Sequence, residues 1–455
     1  MTTSNVLVMV VVLTAVVACN DSSDDTLNND ELNNETPTVV SDSTVNAEES
    51  TENAEGNNTS PPDDIIESPD DTIEPPPEEP TVQLFDKDGL PLPDLSINHD
   101  YEAYLNARPS YYMDAGARFG NVIDQDNTPA DNKVTNAGAV LGRVLFYDIR
   151  LSANNTVACA SCHIQRHGFS DPEVLSNGFD GGKTGRHSMG LTNATYYSRG
   201  RFFWDERAGT LEEQVLMPIQ DSVEMGMNLF DLEVKLGLTS FYAPLFLAAF
   251  SDEAITSDRI SRSLAQFIRS MVSYGSKYDQ AFTAGGSDTP DFSAVFSEQE
   301  LLGLSLFSGV PGDNSDSLGC DSCHHTSAHS ADNKHVNGLD ANTSADQGVG
   351  GGFFKVPSLR NIAVRAPYMH DGRFSSLAEV IEFYNSGVQA HPNLAPALRR
   401  RNSSNGRPVQ FNLNQAEKEA LVVFLEALTD EAFLVNPIFS NPFPEVINEE
   451  SEPES

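Results

Sequence analysis

Two short strings constrain this chain more than anything else in it: Cys159-Ala-Ser-Cys162-His163 and Cys320-Asp-Ser-Cys323-His324. Each reads C-x-x-C-H, the pattern that attaches a c-type haem. Two thiols add to the two vinyl groups of one haem, and the adjacent imidazole is then placed to ligate the iron. C-x-x-C also serves redox disulfides and zinc sites. Here the two copies consume four of the five cysteines, and each carries His in the same place, which favours haem over both alternatives. His325 falls outside the motif and reads as a solvated loop residue.

The fifth cysteine belongs to an address. Val6–Ala18 is apolar except for Thr14, is too short to cross a bilayer, and runs into Val16-Val17-Ala18-Cys19, a bacterial lipobox pattern. The expectation is export, with the mature chain beginning at a lipidated Cys19. No apolar run reaches the roughly 18 residues of a membrane span, so membrane contact is expected only through the lipid.

The 455 residues hold 67 acidic against 27 basic side chains, a formal net charge of −40. That excludes a nucleic-acid binder driven by backbone electrostatics, which needs a basic face. Much of the excess is local. Residues 20–81 hold 19 acids and no Lys or Arg, and 444–455 add five more, leaving sixteen net negative charges on the remainder. The stretch 20–81 lacks the apolar content to offset the entropy of ordering and reads as a disordered tether. The folded body is expected from about 82 to 443, and its regular segments read as helices. Ser257 is placed to cap a helix carrying Ile260, Leu264, Phe267, Ile268 and Met271 on one face, and Asn414 with Glu417 forms a capping-box pattern ahead of 421–428. Long β-patterned runs are absent, and 308–319 and 331–352 read as long loops.

The body also contains a degenerate repeat. Gly142-x-x-Leu145-Phe146 begins 17 residues before Cys159, and Gly303-x-x-Leu306-Phe307 begins 17 before Cys320. Trp204-Asp205-x-Arg207-x-x-x-Leu211-x-Glu213 matches His370-Asp371-x-Arg373-x-x-x-Leu377-x-Glu379 at a constant offset of 166. The same offset pairs Pro218 with Tyr384. Proline has no side-chain donor for iron, whereas a Tyr oxygen is an accepted haem ligand. The duplication therefore suggests one iron with an open face and one capped by Tyr384.

Over roughly 137–429 the sequence resembles the bacterial dihaem cytochrome c peroxidase family, and more closely its MauG branch. The resemblance rests on Leu151-Ser152 ahead of the first haem motif, Phe203-Trp204-Asp205-x-Arg207, Leu211-Glu212-Glu213-Gln214, Pro218-Ile219 and Glu224-Met225-Gly226. In the second half it rests on Val356-Pro357-Ser358-Leu359-Arg360-Asn361, Ala366-Pro367-Tyr368-Met369-His370-Asp371-Gly372 and Phe383-Tyr384-Asn385. It implies a mainly α fold of two cytochrome c-like haem domains in tandem, 82–290 and 291–443, behind the signal peptide and tether and ahead of an acidic tail at 444–455. It also implies two covalent haems. Peroxide would react at the haem of Cys159, Cys162 and His163, with Glu224 as distal carboxylate, Gln214 as companion amide and Pro218 leaving the iron face open. Trp204 would bridge the haems, and the haem of Cys320, Cys323 and His324 would store an electron.

For the second iron, ordinary members use Met and MauG-like members Tyr, here Tyr384, with Met369 as the alternative. His370 would sit near that haem's propionates. Two departures follow from the same resemblance. The stretch 176–181 lacks the removable His that many members place over the first iron, the nearest being His187. The family's interdomain calcium takes an Asn side chain and two backbone carbonyls. The carbonyls fall on Arg365 and Pro367 but the Asn position falls on His187, so calcium is doubtful unless Asn193 substitutes. The function implied first is reduction of hydrogen peroxide with electrons from a small exported cytochrome c or cupredoxin. The alternatives are a MauG-like oxidase of Trp or Tyr residues on a partner protein, and a non-catalytic dihaem electron carrier. The expected location is the periplasm or cell surface of a Gram-negative bacterium.

Overall fold

The computed structural model describes residues 85–96, 99–113, 122–286, 289–308, 318–330, 333–400 and 406–444. The lipobox and Cys19, the 20–81 tether and the tail from 445 onward lie outside the described residues, as do 309–317 of one expected loop. Helices carry the fold, and among the described residues the only named strands are β1 (Lys334–His335) and β2 (Phe354–Lys355), paired antiparallel.

The two halves are built alike. Helix Asn136–Tyr147 packs on helix Ser257–Ser270 in the first half, as Glu298–Ser308 packs on Gln415–Glu426 in the second. The repeated glycines explain the likeness. A Cβ on Gly142 would overlap the Ser263 carbonyl and crowd Phe267, and one on Gly303 would overlap the Ala420 carbonyl and crowd Phe424. Each glycine thus lets the helix that precedes a haem motif approach its partner's backbone. The capping box at Asn414 and Glu417 is present. The other expected cap shifts by one residue: Thr256, not Ser257, has the extended backbone of a cap (φ −131°, ψ 153°), and its hydroxyl accepts the Arg259 N–H. Ser257 is the first helical residue.

Two apolar clusters fill the body. The first gathers Leu141, Leu145, Phe146, Leu211, Ile219 and Phe267 with Phe433 and Phe439 from near the chain's end. The second gathers Leu306, Phe307, Leu377, Leu421 and Phe424 with Tyr111 and Tyr112 from near its beginning. Segments from both ends of the described chain therefore lock the opposite halves.

Candidate dihaem site

The first motif forms a single helical turn, Cys159–Cys162, closed by the Ala158 N–H donating to Ser161 Oγ at 3.0 Å. The His163 backbone follows as its C-cap, and Nδ1 of its imidazole donates to the Phe169 carbonyl at 2.9 Å. This anchoring of one ring nitrogen leaves Nε2 as the ligating atom. Burial pulls the His163 pKa down, holding the ring neutral as a metal ligand must be. In the second motif, burial lowers His324 to about 4, and the carbonyls of His329 and Pro357 lie near its ring. None of the four motif cysteines is bridged, and burial pushes the Cys159, Cys162 and Cys320 thiols up to about 12, 11 and 12. Pairs of thiols beside a neutral imidazole are the donor set that haem attachment requires.

Each set opens on a hollow. His163 and Cys162 line one of about 1740 Å³, and Cys320, Cys323 and His324 line another of about 1670 Å³, solvent at the mouths included.

Helix Leu211–Gln220 brings Gln214 and Pro218 to the first hollow, one turn apart and so on one face. Its neighbour Glu212 points elsewhere, paired with Arg269 at 2.6 Å. The helix ends at Asp221, whose Oδ1 accepts the N–H groups of Val223 (2.8 Å) and Glu224 (3.1 Å) and so folds Glu224 back over the same hollow. Burial and the Asp221 charge raise the Glu224 pKa, against an opposing pull from Arg207. Loop 176–182 closes onto this turn: the Phe179 N–H donates to the Glu224 carbonyl at 3.0 Å, and the Phe179 ring covers Gly226. His187 lines the hollow, but its Nδ1 faces the Glu173 and Val174 carbonyls at 3.2 Å and its Nε2 the Ser170 hydroxyl at 3.3 Å. Its ring is held by the wall.

The turn carrying Trp204 is duplicated in its backbone. The Phe202–Ala208 and Tyr368–Phe374 bridges correspond, as do the positive φ angles of Phe203 (68°) and Met369 (77°) and of Glu206 (52°) and Gly372 (67°). The caps Thr210 and Ser376 accept the N–H groups of Glu213 and Glu379. Trp204 Nε1 donates to the His187 carbonyl at 2.8 Å, and its ring meets its repeat mate His370 edge to face at 6.4 Å. His370 stacks on Phe354 at 3.8 Å and lines the second hollow. Trp204, His187, Ser188, Lys355 and Pro357 line both hollows and so form their common wall.

Repeat symmetry breaks at the next position. Pro218 sits inside a regular helix, whereas helix Leu377–Glu382 opens into a π turn, Phe383–Gly387, containing Tyr384. Such turns concentrate at functional sites. Tyr384 and Met369 both line the second hollow, Asn337 Nδ2 lies 3.7 Å from Met369 Sδ, and burial pushes the Tyr384 phenol up to about 12. His325 is half-buried near Asp321 and lines neither hollow.

The expected calcium site does not fit. His187 spends its ring on the wall, and Asn193 Oδ1 accepts the Ser273 N–H at 2.9 Å. The Arg365 side chain fills the space against Gly168 and Gly190. No cluster of three or more His, Cys, Asp or Glu among the described residues could hold a metal ion. Lys355, Asn337 and Arg186, which bridges Asp205 and Asp346 at 2.7 and 2.8 Å, carry no motif of their own and were not legible as site residues, and Arg365 was named only for its backbone carbonyl.

Comparison with known proteins agrees with this geometry. A family described as "Di-haem cytochrome c peroxidase" matches residues 136–287. "Methylamine utilization protein MauG" of Methylophilus methylotrophus is 31% identical over 322 residues, 69% of this chain and 88% of that one. "Cytochrome-c peroxidase IdrP1" of a Pseudomonas species is 28% identical over 341 residues, 66% of this chain and 83% of that one. A crystal structure of a MauG-like protein associated with microbial copper homeostasis is similar at 30% identity and a TM-score of 0.59, over 73% of this chain and all of that one. The chain belongs to the dihaem cytochrome c peroxidase family with its MauG-like members, and is an oxidoreductase of peroxidase type built for two c-type haems.

Proposed function

We propose that the protein reduces hydrogen peroxide to water at the haem of the 82–290 lobe, with electrons relayed through the haem of the 291–443 lobe. The observation that carries this reading is the convergence of Gln214, Pro218 and Glu224 on the hollow of His163. The haems supply redox-active iron, one to hold peroxide and one to store an electron. Everything else falls to side chains. Pro218 offers no donor atom and so leaves room for peroxide. Glu224 takes the proton from one peroxide oxygen and returns it to the departing one, and its raised pKa suits a group that must do both. The Gln214 amide donates to the oxygen on which charge develops. Trp204, in the common wall, is placed for electron passage between the lobes. Each turnover consumes two electrons and two protons and yields two waters.

The donor we infer is a small exported cytochrome c or cupredoxin, met in the periplasm of a Gram-negative bacterium by a chain anchored through Cys19. Tyr384 in the second hollow supports a second reading, in which a phenolate on the second iron stabilises high oxidation states and the electrons come from Trp or Tyr residues of a partner protein. The test is steady-state peroxide turnover by the dihaem protein with a reduced small cytochrome as donor. Turnover that is lost in Glu224→Gln supports the peroxidase. Rapid reaction with peroxide but no donor oxidation favours the partner-oxidising reading.

A further inference from the structure

Arg365 follows the 3-10 turn Ile362–Val364 and is 5% exposed. Its stem crosses from the second half onto the first. A Cβ on Gly168 or Gly190 would overlap its Cγ or Nη1, so two glycines of the first half leave room for this side chain. Nη2 donates to the Ser358 carbonyl, while Nε is buried without a partner, the only guanidinium nitrogen among the described residues in that state.

Three other buried arginines here hold carboxylates: Arg360 pairs with Asp279 at 2.5 Å, Arg150 with Asp148 at 3.0 Å and Arg269 with Glu212 at 2.6 Å. Arg143 holds none, but its Nε is spent on the Ser440 carbonyl at 2.6 Å and its Nη1 on His99. Arg365 has no such pair among the described residues, and burial without one lowers its pKa to about 10. The acids nearest the seam are already taken. Glu206 is held by Arg199, Tyr197 and Lys334, and Asp346 and Asp205 by Arg186. A second buried cation, Lys355, lies in the common wall with Nζ on the Arg201 carbonyl at 3.0 Å and over the Tyr197 ring at 3.9 Å. A buried cation with an unpartnered donor is costly unless an anion completes it. Arg365 lines the hollow of Cys320, Cys323 and His324, and the group that hollow is built for carries carboxylates.

We propose that Arg365 binds a propionate of the second haem and is the in-chain cation of the seam between the lobes, taking the place of the interdomain calcium that the resemblance implies for other members. The inference rests on the dihaem reading. A guanidinium beside a propionate offsets its negative charge and so favours the ferrous iron. The glycine cradle at 168 and 190 lets one side chain tie the first half of the chain to the cofactor of the second.

The experiment uses the dihaem protein and its Arg365→Met and Arg365→Lys variants. A pyridine haemochrome assay first counts covalent haems, and a value below two in wild type overturns the dihaem reading itself, independently of Arg365. Optically monitored redox titration then follows each haem, told apart by low-spin and high-spin absorption. The expected result is that Arg365→Met lowers the ferrous-to-ferric ratio of the second haem at least threefold at fixed ambient potential. Arg365→Lys should stay nearer wild type because it keeps the charge. Wild-type spectra and thermal midpoint should be unchanged by EGTA. If Arg365→Met does not retain two haems, Arg365→Gln is compared with Arg365→Lys on the same readout. An unchanged second-haem potential in the neutral variant, or an EGTA effect reversed by calcium, overturns the proposal.

Discussion

Trp204 and His370 occupy equivalent places in the two halves, 166 positions apart, and meet edge to face at 6.4 Å. The repeat thus closes on itself at the wall between the hollows. Trp204 is fixed by its Nε1 bond to the His187 carbonyl, and the His187 N–H is in turn bonded to the His370 carbonyl at 2.8 Å. Three residues form a closed loop of contacts, so their geometry is set jointly.

Haem content follows from the paired motifs. A pyridine haemochrome assay should find two covalently bound haems per chain in fully matured protein, and Cys320→Ala should leave one.

The state of the first iron follows from Pro218 and from the commitment of His187 to the wall. The ferric protein as isolated should show one high-spin haem and react with peroxide without prior reduction. Two low-spin haems and no peroxide reaction would instead fit an electron carrier.

Glu224 gives a pH dependence of known sign. Its pKa is raised by burial and by Asp221, and the carboxylate is the form that accepts the first proton. The stopped-flow rate of the peroxide reaction should therefore rise as pH climbs through a value above the usual glutamate range and fall away below it. Glu224→Gln should lose this dependence and slow the reaction by about 10²–10⁴-fold.

Tyr384→Phe should remove the sixth ligand of the second iron, change the ferric low-spin electron paramagnetic resonance signal and shorten the life of the peroxide-generated state, with haem content still two. An unchanged signal would assign the position to Met369, which lines the same hollow, and would favour an ordinary peroxidase.

The duplicated helix crossings make a stability prediction. Gly142→Ala and Gly303→Ala each force a methyl against a partner backbone carbonyl, so each should destabilise the holoprotein by about 1–3 kcal/mol, read by chemical denaturation. A neutral effect at either site would mean that its helix pair can move apart.

The haem motifs, the repeat and the Asn414 box were legible in the sequence because each is encoded in spacing along the chain. The Ser257 cap was off by one because Thr256 and Ser257 both carry hydroxyls, and only backbone angles choose between them. Glu224, Gln214 and Trp204 came from family resemblance, and all three line the hollow of His163. Lys355, Asn337 and the side chain of Arg365 were missed for a common reason. Their surroundings come from segments far away in sequence, as when Lys355 reaches the Arg201 carbonyl, and no local pattern announces such a neighbour. The calcium reading rested on backbone positions, from which the packing of the Arg365 side chain against Gly168 and Gly190 could not be read.

The wall shared by the two hollows has a consequence for how this protein can be retuned. Trp204, His187 and Lys355 each face both compartments, so a substitution there changes the surroundings of both irons at once and cannot adjust either alone. Independent control resides at the far ends, with Glu224 and Gln214 on one side and Tyr384 and Met369 on the other. On the proposed roles, a chain of this design exchanges its oxidant chemistry or its second-iron ligand separately, but the partition between them only as one piece.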